Sequence, residues 1–330
     1  MKKDAQTASS DTFLARADAL TASDFAALGR VPPELEWFAN LQNAQTRRAY
    51  RNDVKDFTAF AGLQNPEDFR TVTRAHLIAW RKQLEERRLS QATIRRKLAA
   101  LSSLFDSLCE KNVVAHNPVD GVKRPRAQHT EGLTPALSDA QARALLAAPL
   151  EQTLKGLRDR AILATLLYHG LRRTELCQLK VQDLQQREGI LHLRVDGKGG
   201  KIRFLPMAPL AARLIEAYLA QAGHGEDRTG PLFRPVRNNA TGTLNKPLHP
   251  TSIYHEIVRY YGRQVGLNVS VQGFCVHSLR ATAATNALAH GADIAEVQQW
   301  LGHSNIATTR LYDKRNHRPE NSPTFRVKYC

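Results

Sequence analysis

The chain has 330 residues, a length that favours two domains. Hydrophobic residues make up 42% of it, which excludes a mainly disordered protein, and its four scattered cysteines include no C-x-x-C pair that would suggest a zinc cluster or disulfide framework. Lys and Arg exceed Asp and Glu by 47 to 31, a net charge of +16, so a polyanion such as nucleic acid is the leading partner. No apolar run approaches the roughly 20 residues of a membrane span, so we expect a cytoplasmic protein with no membrane partner.

The first third of the chain is predicted to be helical. Residues 1–33 are polar and Ala-rich, and we expect a loosely ordered arm there. Apolar residues then recur at helical spacing after two candidate N-caps, Thr46 and Thr73, and again from about Ser90, so residues 34–118 are predicted to form an all-helical domain. Its helices have basic rims, which include Arg47, Arg48, Arg51, Arg95 and Arg96.

Residues 119–135 contain prolines and glycines, which interrupt helices, together with a basic KRPR cluster. They are predicted to form a basic linker, which includes Lys123 and Arg124. Residues 136–315 are predicted to form a second domain, and 316–330 a C-terminal tail.

The second domain is predicted to be mainly helical with a small β-sheet. Ser138 is a candidate N-cap, and residues 158–169 are apolar nearly all round, which is typical of a buried helix. The runs LHLRV and IRFLPM alternate with period two around DGKGG, which predicts a β-hairpin with a glycine-rich tip. Helices are also predicted at residues 140–148, 210–221, 252–265, 277–290 and 294–301.

Four short stretches in this domain could carry chemistry: GLRRTEL (170–176), GKGGK (197–201), HSLR (277–280) and LGHSNIATTRLY (301–312). Each has an ordinary structural interpretation when it is taken alone. Gly170 fits a helix C-cap, Glu175 a capping box, and Lys198 a solvated turn. Tyr312 fits a core anchor for a C-terminal helix.

The four stretches in this order resemble the tyrosine recombinase (phage integrase) family, including the Xer-type recombinases. The resemblance covers about residues 134–315. It extends more weakly to the first domain, where Thr46, Tyr50 and Asp53 look like the first helix of the family's core-binding domain. It implies an all-helical N-terminal core-binding domain and a mixed α/β catalytic domain, which both contact DNA. The candidate contacts to DNA phosphates in the first domain and the linker are Arg47, Arg48, Arg51, Arg95, Arg96, Lys123 and Arg124.

The chemistry that the resemblance implies is consistent with the residue types. Arginines can bind phosphate oxygens with permanently charged, bidentate donors and stabilise a pentavalent transition state. A tyrosine with a pKa of about 10 is neutral at pH 7, so as a nucleophile it needs a proton acceptor or a cationic site. The resemblance assigns Arg172 and Arg280 to the phosphate clamp, Tyr312 to the nucleophile, His277 to proton transfer, Lys198 to the general acid, His303 to the phosphate and Glu175 to support of the first arginine.

For two of these assignments, a nearby residue of the same type must also be considered. Lys201 lies in the same loop as Lys198 and is an alternative general acid or a DNA contact, although the G-K-G context favours Lys198. Arg173 stands beside Arg172 and is a candidate for a DNA backbone phosphate, because the position directly after Gly170-Leu171 favours Arg172 for the active site.

The resemblance implies a site-specific DNA recombinase that acts through a 3′-phosphotyrosine intermediate and a Holliday junction. Inverted half-sites, four protomers on two duplexes, and no cofactor or metal are expected. The sequence leaves open whether a second recombinase or an accessory DNA-bending protein is required. It also leaves open whether the tail docks on a neighbouring subunit or is disordered. The alternatives are a type IB topoisomerase-like nicking-closing enzyme and a catalytically silent DNA-binding regulator.

Overall fold

The computed structural model describes residues 31–125, 134–197, 200–237, 242–313, 324 and 327. The predicted arm lies outside the described residues except for its last three positions, and the predicted tail except for Thr324 and Val327. The chain divides into two compact units, Met1–Gln128 and His129–Cys330, at a point inside the predicted 119–135 segment. Within the described ranges, no helix combines the length and apolar character needed to cross a membrane.

The first unit is all-helical, as predicted. Its elements are α1 (Pro33–Asn40), α2 (Ala44–Ala61), a 3-10 turn (Pro66–Thr71), α3 (Arg74–Glu86) and α4 (Gln91–Glu110). Thr73 is confirmed as an N-cap, the helix predicted from about Ser90 has Ser90 as its N-cap, and the prediction of Thr46 as an N-cap is wrong. Asn43 caps α2 instead, because its side-chain oxygen accepts hydrogen bonds from the backbone N–H of Gln45 and Thr46 at 2.9 and 3.1 Å.

The core of the first unit lies along α4. Its Leu98 and Leu101 are fully buried, and Phe57 of α2 meets Trp80 of α3 edge to face with ring centroids 5.2 Å apart. Val119 belongs to the same core, with 3% of its surface exposed, so the chain remains anchored to α4 beyond its C-terminal end.

The second unit consists of helices around a three-stranded antiparallel sheet, which confirms the predicted mixed architecture. In chain order its elements are α5 (Asp139–Ala147), α6 (Leu154–His169), α7 (Arg173–Gln178), a 3-10 turn (Val181–Asp183), β1 (Leu184–Arg187), β2 (Ile190–Asp196), β3 (Ile202–Pro206), α8 (Pro209–Ala222), α9 (Pro250–Ser252), a π-helical turn (Ile253–Val258), α10 (Arg259–Gln264), α11 (Leu267–Ser270), α12 (Val276–Ala289), α13 (Ile294–Leu301) and α14 (Ile306–Arg310).

Two elements differ from the predicted pattern for physical reasons. Strand β1 was not predicted, because its sequence LQQR has no apolar alternation; pairing with β2 from Leu184↔Leu193 to Arg187↔Ile190 defines it. The helix predicted over 252–265 contains a π-helical turn, Ile253–Val258, between two α-helical pieces.

Helix α6 is the buried centre of the second unit, as its all-round apolar character predicts. It packs against α5, α8 and α12. Ser138 caps α5 as predicted, with its hydroxyl accepting from the Gln141 backbone N–H at 3.3 Å. On the sheet, Leu193 and Leu205 pair and are buried, whereas Ile202 and Phe204 of β3 are 51% and 40% exposed. Arg203 therefore lies on the inner face of the hairpin.

Candidate active site

Tyr312 lies two residues after α14 and contacts His277. Its hydroxyl is 3.0 Å from His277 Nε2, and the tyrosine is buried in a small core with Leu301 and Ala281. Burial raises the pKa of Tyr312, although Arg280 and Arg172 oppose the shift. The phenol therefore keeps its proton near pH 7 and can donate it to an acceptor.

His277 lies in the first turn of α12, after the N-cap residue Cys275. Desolvation, and then the positive charges of Arg280 and Arg172, lower the pKa of His277. The imidazole is therefore neutral near pH 7, and its Nε2 can accept the Tyr312 proton.

Arg280 lies one turn further along α12 and is 1% exposed. Its Nη1 donates to the carbonyl of Gly170, and its Nη2 donates to the carbonyl of Leu301 at 2.7 Å. Burial and the charge of Arg172 lower the pKa of Arg280 to about 10, so the guanidinium stays positive at neutral pH. Its buried Nε has no hydrogen-bond partner among the described residues.

Arg172 is fixed where α6 ends and α7 begins. Gly170 ends α6 in the left-handed conformation at φ 57°, and a Cβ there would lie 2.8 Å from a Leu301 methyl. Arg172 is the N-cap of α7, where Glu175 Oε2 accepts from its backbone N–H at 2.8 Å and Glu175 Oε1 from its Nη1 at 2.7 Å. Its Nη2 donates to the Gly302 carbonyl at 3.0 Å. The C-cap and capping-box interpretations are thus correct, and the same contacts orient Arg172.

His303 follows Gly302, the left-handed C-cap of α13. Its ring stacks on Tyr312 with centroids 6.0 Å apart and planes at 27°. Its Nδ1 lies 2.9 Å from the buried hydroxyl of Thr309. Burial, and then Arg280 and Arg172, lower the pKa of His303 to about 4, so the ring is neutral at pH 7. Thr309 was not predicted as a site residue, although it lies in the T-T-x-x-Y stretch.

Arg203 on β3 is the second residue of the site that the sequence analysis missed. Its Nη1 and Nη2 donate to Glu175 Oε1 and Oε2 at 3.3 and 3.1 Å. Because Arg203 alternates with apolar Ile202 and Phe204, the simple period-two pattern assigns it to the solvent face. The only local signal was an arginine in the strand that follows the GKGGK tip.

Of the site residues described above, Arg172, Arg203 and His303 border a cleft of about 660 Å³. Its lining residues are Arg172, Gly197, Lys201, Ile202, Arg203, Gln299, Gly302, His303, Ser304 and Thr308. Lys201 is exposed at this cleft, whereas Lys198 lies outside the described residues. The choice between the two lysines therefore stays a prediction.

The predicted DNA contacts have varied surroundings and remain predictions. Arg47 donates to the Leu41 carbonyl from Nε at 3.0 Å and Nη2 at 2.7 Å, and the Arg51 guanidinium lies 4.5 Å from the centre of the Phe38 ring. Arg96 forms an ion pair with Asp53, and Arg95 donates to the Pro125 carbonyl at 3.3 Å. The exposed members of the set are Arg48, Arg51, Arg95, Arg96, Lys123, Arg124, Arg173 and Lys201.

Comparison with known proteins identifies both units. Residues 135–318 match the phage integrase family, and residues 37–112 match the N-terminal SAM-like domain of phage integrases. The tyrosine recombinase XerC of Pelobacter propionicus is 34% identical over 280 residues, which cover 84% of this chain and 87% of the relative. The tyrosine recombinase XerD of Vibrio cholerae is 33% identical over 292 residues, with 84% and 87% covered.

Solved structures share the fold. The XerH recombinase bound to palindromic difH, in a post-cleavage complex, matches with a TM-score of 0.68 at 19% identity over 96% of this chain and 94% of that one. A lambda integrase (75–356) dimer bound to a core site matches with a TM-score of 0.63 at 17% identity, over 86% and 94%. By its family match and its relatives, the chain belongs to the phage integrase family of tyrosine recombinases.

Proposed function

We propose that this protein is a site-specific DNA recombinase that cleaves and rejoins DNA through a covalent bond to Tyr312. The contact between the Tyr312 hydroxyl and His277 Nε2, at 3.0 Å and beside the buried cation Arg280, carries the proposal. It joins a nucleophile, a proton acceptor and a positive charge at one point.

In the first step the Tyr312 oxygen attacks the phosphorus of one DNA strand. A bond forms between that oxygen and the 3′ phosphate, the bond from phosphorus to the 5′ oxygen breaks, and the phenol proton passes to His277 Nε2. Arg172 and Arg280 bind the non-bridging oxygens and stabilise the additional negative charge that develops there. Their protein contacts fix them before DNA arrives, so little reorganisation is needed during the reaction.

His303 is proposed to donate a hydrogen bond to the same phosphate from Nε2. A neutral imidazole carries only one N–H, so this role requires Nδ1 to be an acceptor. The Thr309 hydroxyl, 2.9 Å from Nδ1, can donate there and select that tautomer.

The departing 5′ oxygen needs a proton, and a lysine of the GKGGK loop is proposed to supply it. Lys198 and Lys201 both remain candidates; Lys201 lines the cleft beside Arg172 and His303. Because the phosphotyrosine bond conserves the energy of the DNA bond that it replaces, the reverse reaction rejoins the strand without a nucleotide cofactor, and no metal step is proposed.

The partner is proposed to be duplex DNA with inverted half-sites, bound by a homotetramer that exchanges strands between two duplexes through a Holliday junction. The net charge of +16 and the fold shared with DNA-bound recombinases support the choice of DNA. A DNA substrate would place the protein in the cytoplasm at the nucleoid. Integration, excision and resolution use the same active site, and a partner recombinase or DNA-bending protein fits each of them.

Covalent capture tests the proposal. The protein is mixed with nicked duplexes from the DNA that flanks its own gene, in EDTA and without ATP, so that the cleaved strand can diffuse away. We expect an SDS-resistant protein–DNA adduct that Tyr312→Phe abolishes and Tyr260→Phe, at an exposed tyrosine, leaves unchanged.

The alternatives give different results. Relaxation of a supercoiled plasmid that lacks a target site would favour a topoisomerase-like enzyme. DNA binding without any adduct, across the flanking sequences and with a partner recombinase added, would favour a silent regulator.

A further inference from the structure

The Arg203 guanidinium fills space that is open because Gly302 and Gly197 have no side chains. A Cβ added at Gly302 would lie 2.5 Å from Arg203 Nη1, and one added at Gly197 would lie 2.8 Å from the same atom. Its side chain is 10% exposed. Three segments therefore meet at this guanidinium: the hairpin loop that begins at Gly197, the loop after α13, and α7 through Glu175.

Glu175 connects Arg203 to the phosphate clamp. Its carboxylate is 3% exposed and receives both Nη groups of Arg203, at 3.3 and 3.1 Å. The same two oxygens receive the backbone N–H and the Nη1 of Arg172, at 2.8 and 2.7 Å. Both oxygens are thus shared between two arginines, a geometry that fixes the carboxylate and through it the Arg172 side chain.

The charge of Arg203 also has a consequence for Glu175. Burial alone would raise the pKa of Glu175, but hydrogen bonds from Arg203 and Arg172 outweigh it and hold the pKa below its ordinary value. The charged groups that face this carboxylate are Arg172 at the start of α7, Arg203 on β3 and, at longer range, Arg280 on α12. Without Arg203, fewer hydrogen bonds oppose the effect of burial, so the pKa of Glu175 should rise.

We propose that Arg203 is a positioning residue for DNA cleavage, which holds Glu175 against Arg172 and links Gly197, after strand β2, to the phosphate clamp. The inference rests on the proposed function. Arg203 acts through Glu175 on a residue that touches the phosphate, so its removal should slow the chemical step and leave DNA binding largely intact.

The test is a double-mutant cycle on single-turnover adduct formation at saturating protein. Arg203→Ala is expected to slow cleavage by about 10- to 100-fold, in the range of interactions that orient a transition-state donor. Glu175→Gln is expected to slow it similarly, and the double variant no more than the slower single variant, because both changes break one chain of contacts. Arg203→Lys should recover part of the rate, since one ammonium replaces the charge but not the two-pronged contact.

Arg194→Ala is the matched control. Arg194 lies on β2 of the same sheet and also forms ion pairs, with Asp183 at 3.1 Å and Asp196 at 2.9 Å. Since its register partner is the exposed Phe204, it lies on the opposite face from Arg203. We expect its cleavage rate to stay within about two-fold of the unsubstituted protein.

The pH dependence distinguishes positioning from a general loss of packing. A higher pKa of Glu175 in Arg203→Ala means that the carboxylate is protonated at a higher pH. The acid limb that Glu175 contributes to the cleavage rate should therefore move upward in pH in Arg203→Ala and should be lost when Glu175→Gln is added, because glutamine does not titrate.

Each adverse outcome identifies what has failed. A rate for Arg203→Ala within two-fold of the unsubstituted protein, losses that multiply in the double variant, or an equal loss in Arg194→Ala would overturn the role of Arg203. If Arg203→Ala does not fold, Arg203→Lys and the double variant, which buries no unpaired carboxylate, decide the same question. Absence of a Tyr312 adduct from the unsubstituted protein would instead overturn the proposed function.

Discussion

Buried charges are held differently in the helical unit and in the active site of the second unit. In the helical unit, Asp53 is paired with Arg96 and with Lys97 at 3.2 Å, and Lys97 also contacts Asp56 at 2.8 Å. The buried Lys97 is thus paired with two carboxylates. In the catalytic unit, Glu175 is shared by Arg172 and Arg203, whereas both Nη groups of Arg280 bind backbone carbonyls.

This difference decides which unit can perform phosphate chemistry. A carbonyl fixes an arginine without cancelling its charge, so the catalytic unit retains uncompensated positive charge beside Tyr312. That charge, together with burial, lowers the pKa of His303 to about 4. In the helical unit the ion pairs hold α2 and α4 together, and burial raises the pKa of Asp53 even though Arg96 and Lys97 oppose it.

Replacement of Arg280 should reduce the rate of adduct formation more than the other substitutions do. It therefore tests most directly the difference between carbonyl-bound and carboxylate-paired arginines. We expect Arg280→Ala to slow adduct formation by about 10³-fold or more, since it removes a transition-state donor. It should also lower the free energy of unfolding by about 2–4 kcal/mol, because the Gly170 and Leu301 carbonyls lose their partner. Single-turnover cleavage and urea unfolding measure the two effects.

The control for this prediction is Arg87→Ala in the helical unit. Arg87 is a surface cation that pairs with Asp56 at 3.0 Å. We expect a cost of about 1 kcal/mol or less and an unchanged cleavage rate. A cleavage rate for Arg280→Ala within ten-fold of the unsubstituted protein would contradict the assignment of Arg280 to the clamp.

We expect an intermediate effect on the cleavage rate at Thr309, where a hydroxyl group rather than a charge selects the tautomer of His303. Thr309→Val keeps the shape of the side chain but cannot donate to His303 Nδ1. The tautomer that carries the proton on Nε2 is then no longer favoured, and adduct formation should slow by about 10-fold. Thr309→Ser should restore the rate, and DNA affinity should not change; recovery by valine but not serine would refute the tautomer argument.

The smallest effects are expected from surface arginines. Arg48 on α2 and Arg173 on α7 are exposed. If each contacts one phosphate, replacement by Ala should weaken binding a few-fold and reduce the slope of log K against log salt by about 1. Fluorescence anisotropy across several salt concentrations measures this, with Arg70→Ala, an exposed arginine paired with Glu67 at 3.0 Å, as the control. An unchanged slope would show that these arginines do not contact phosphates.

The amino-acid sequence by itself determined the features that depend on neighbouring residues. Ser90 and Ser138 cap helices because a side-chain oxygen reaches an N–H three residues ahead, and Ile294–Leu301 begins and ends at its predicted residues. The resemblance to the tyrosine recombinase family that the four motifs carry implies that Arg172, His277, Arg280, His303 and Tyr312 belong to one site. Thr46 is not the N-cap because Asn43, three residues earlier, supplies the side-chain oxygen that accepts hydrogen bonds from the first N–H groups of the helix.

Tertiary structure alone decided the features that depend on distant residues. Arg203 points inward against the hairpin's apolar alternation because Glu175, 28 residues earlier, supplies two carboxylate oxygens there. Arg172 is held by the Gly302 carbonyl 130 residues further along the chain, and β1 exists only through its pairing with β2. Periodicity and capping have no access to such contacts, since the partners become neighbours only after the core of the second unit has formed.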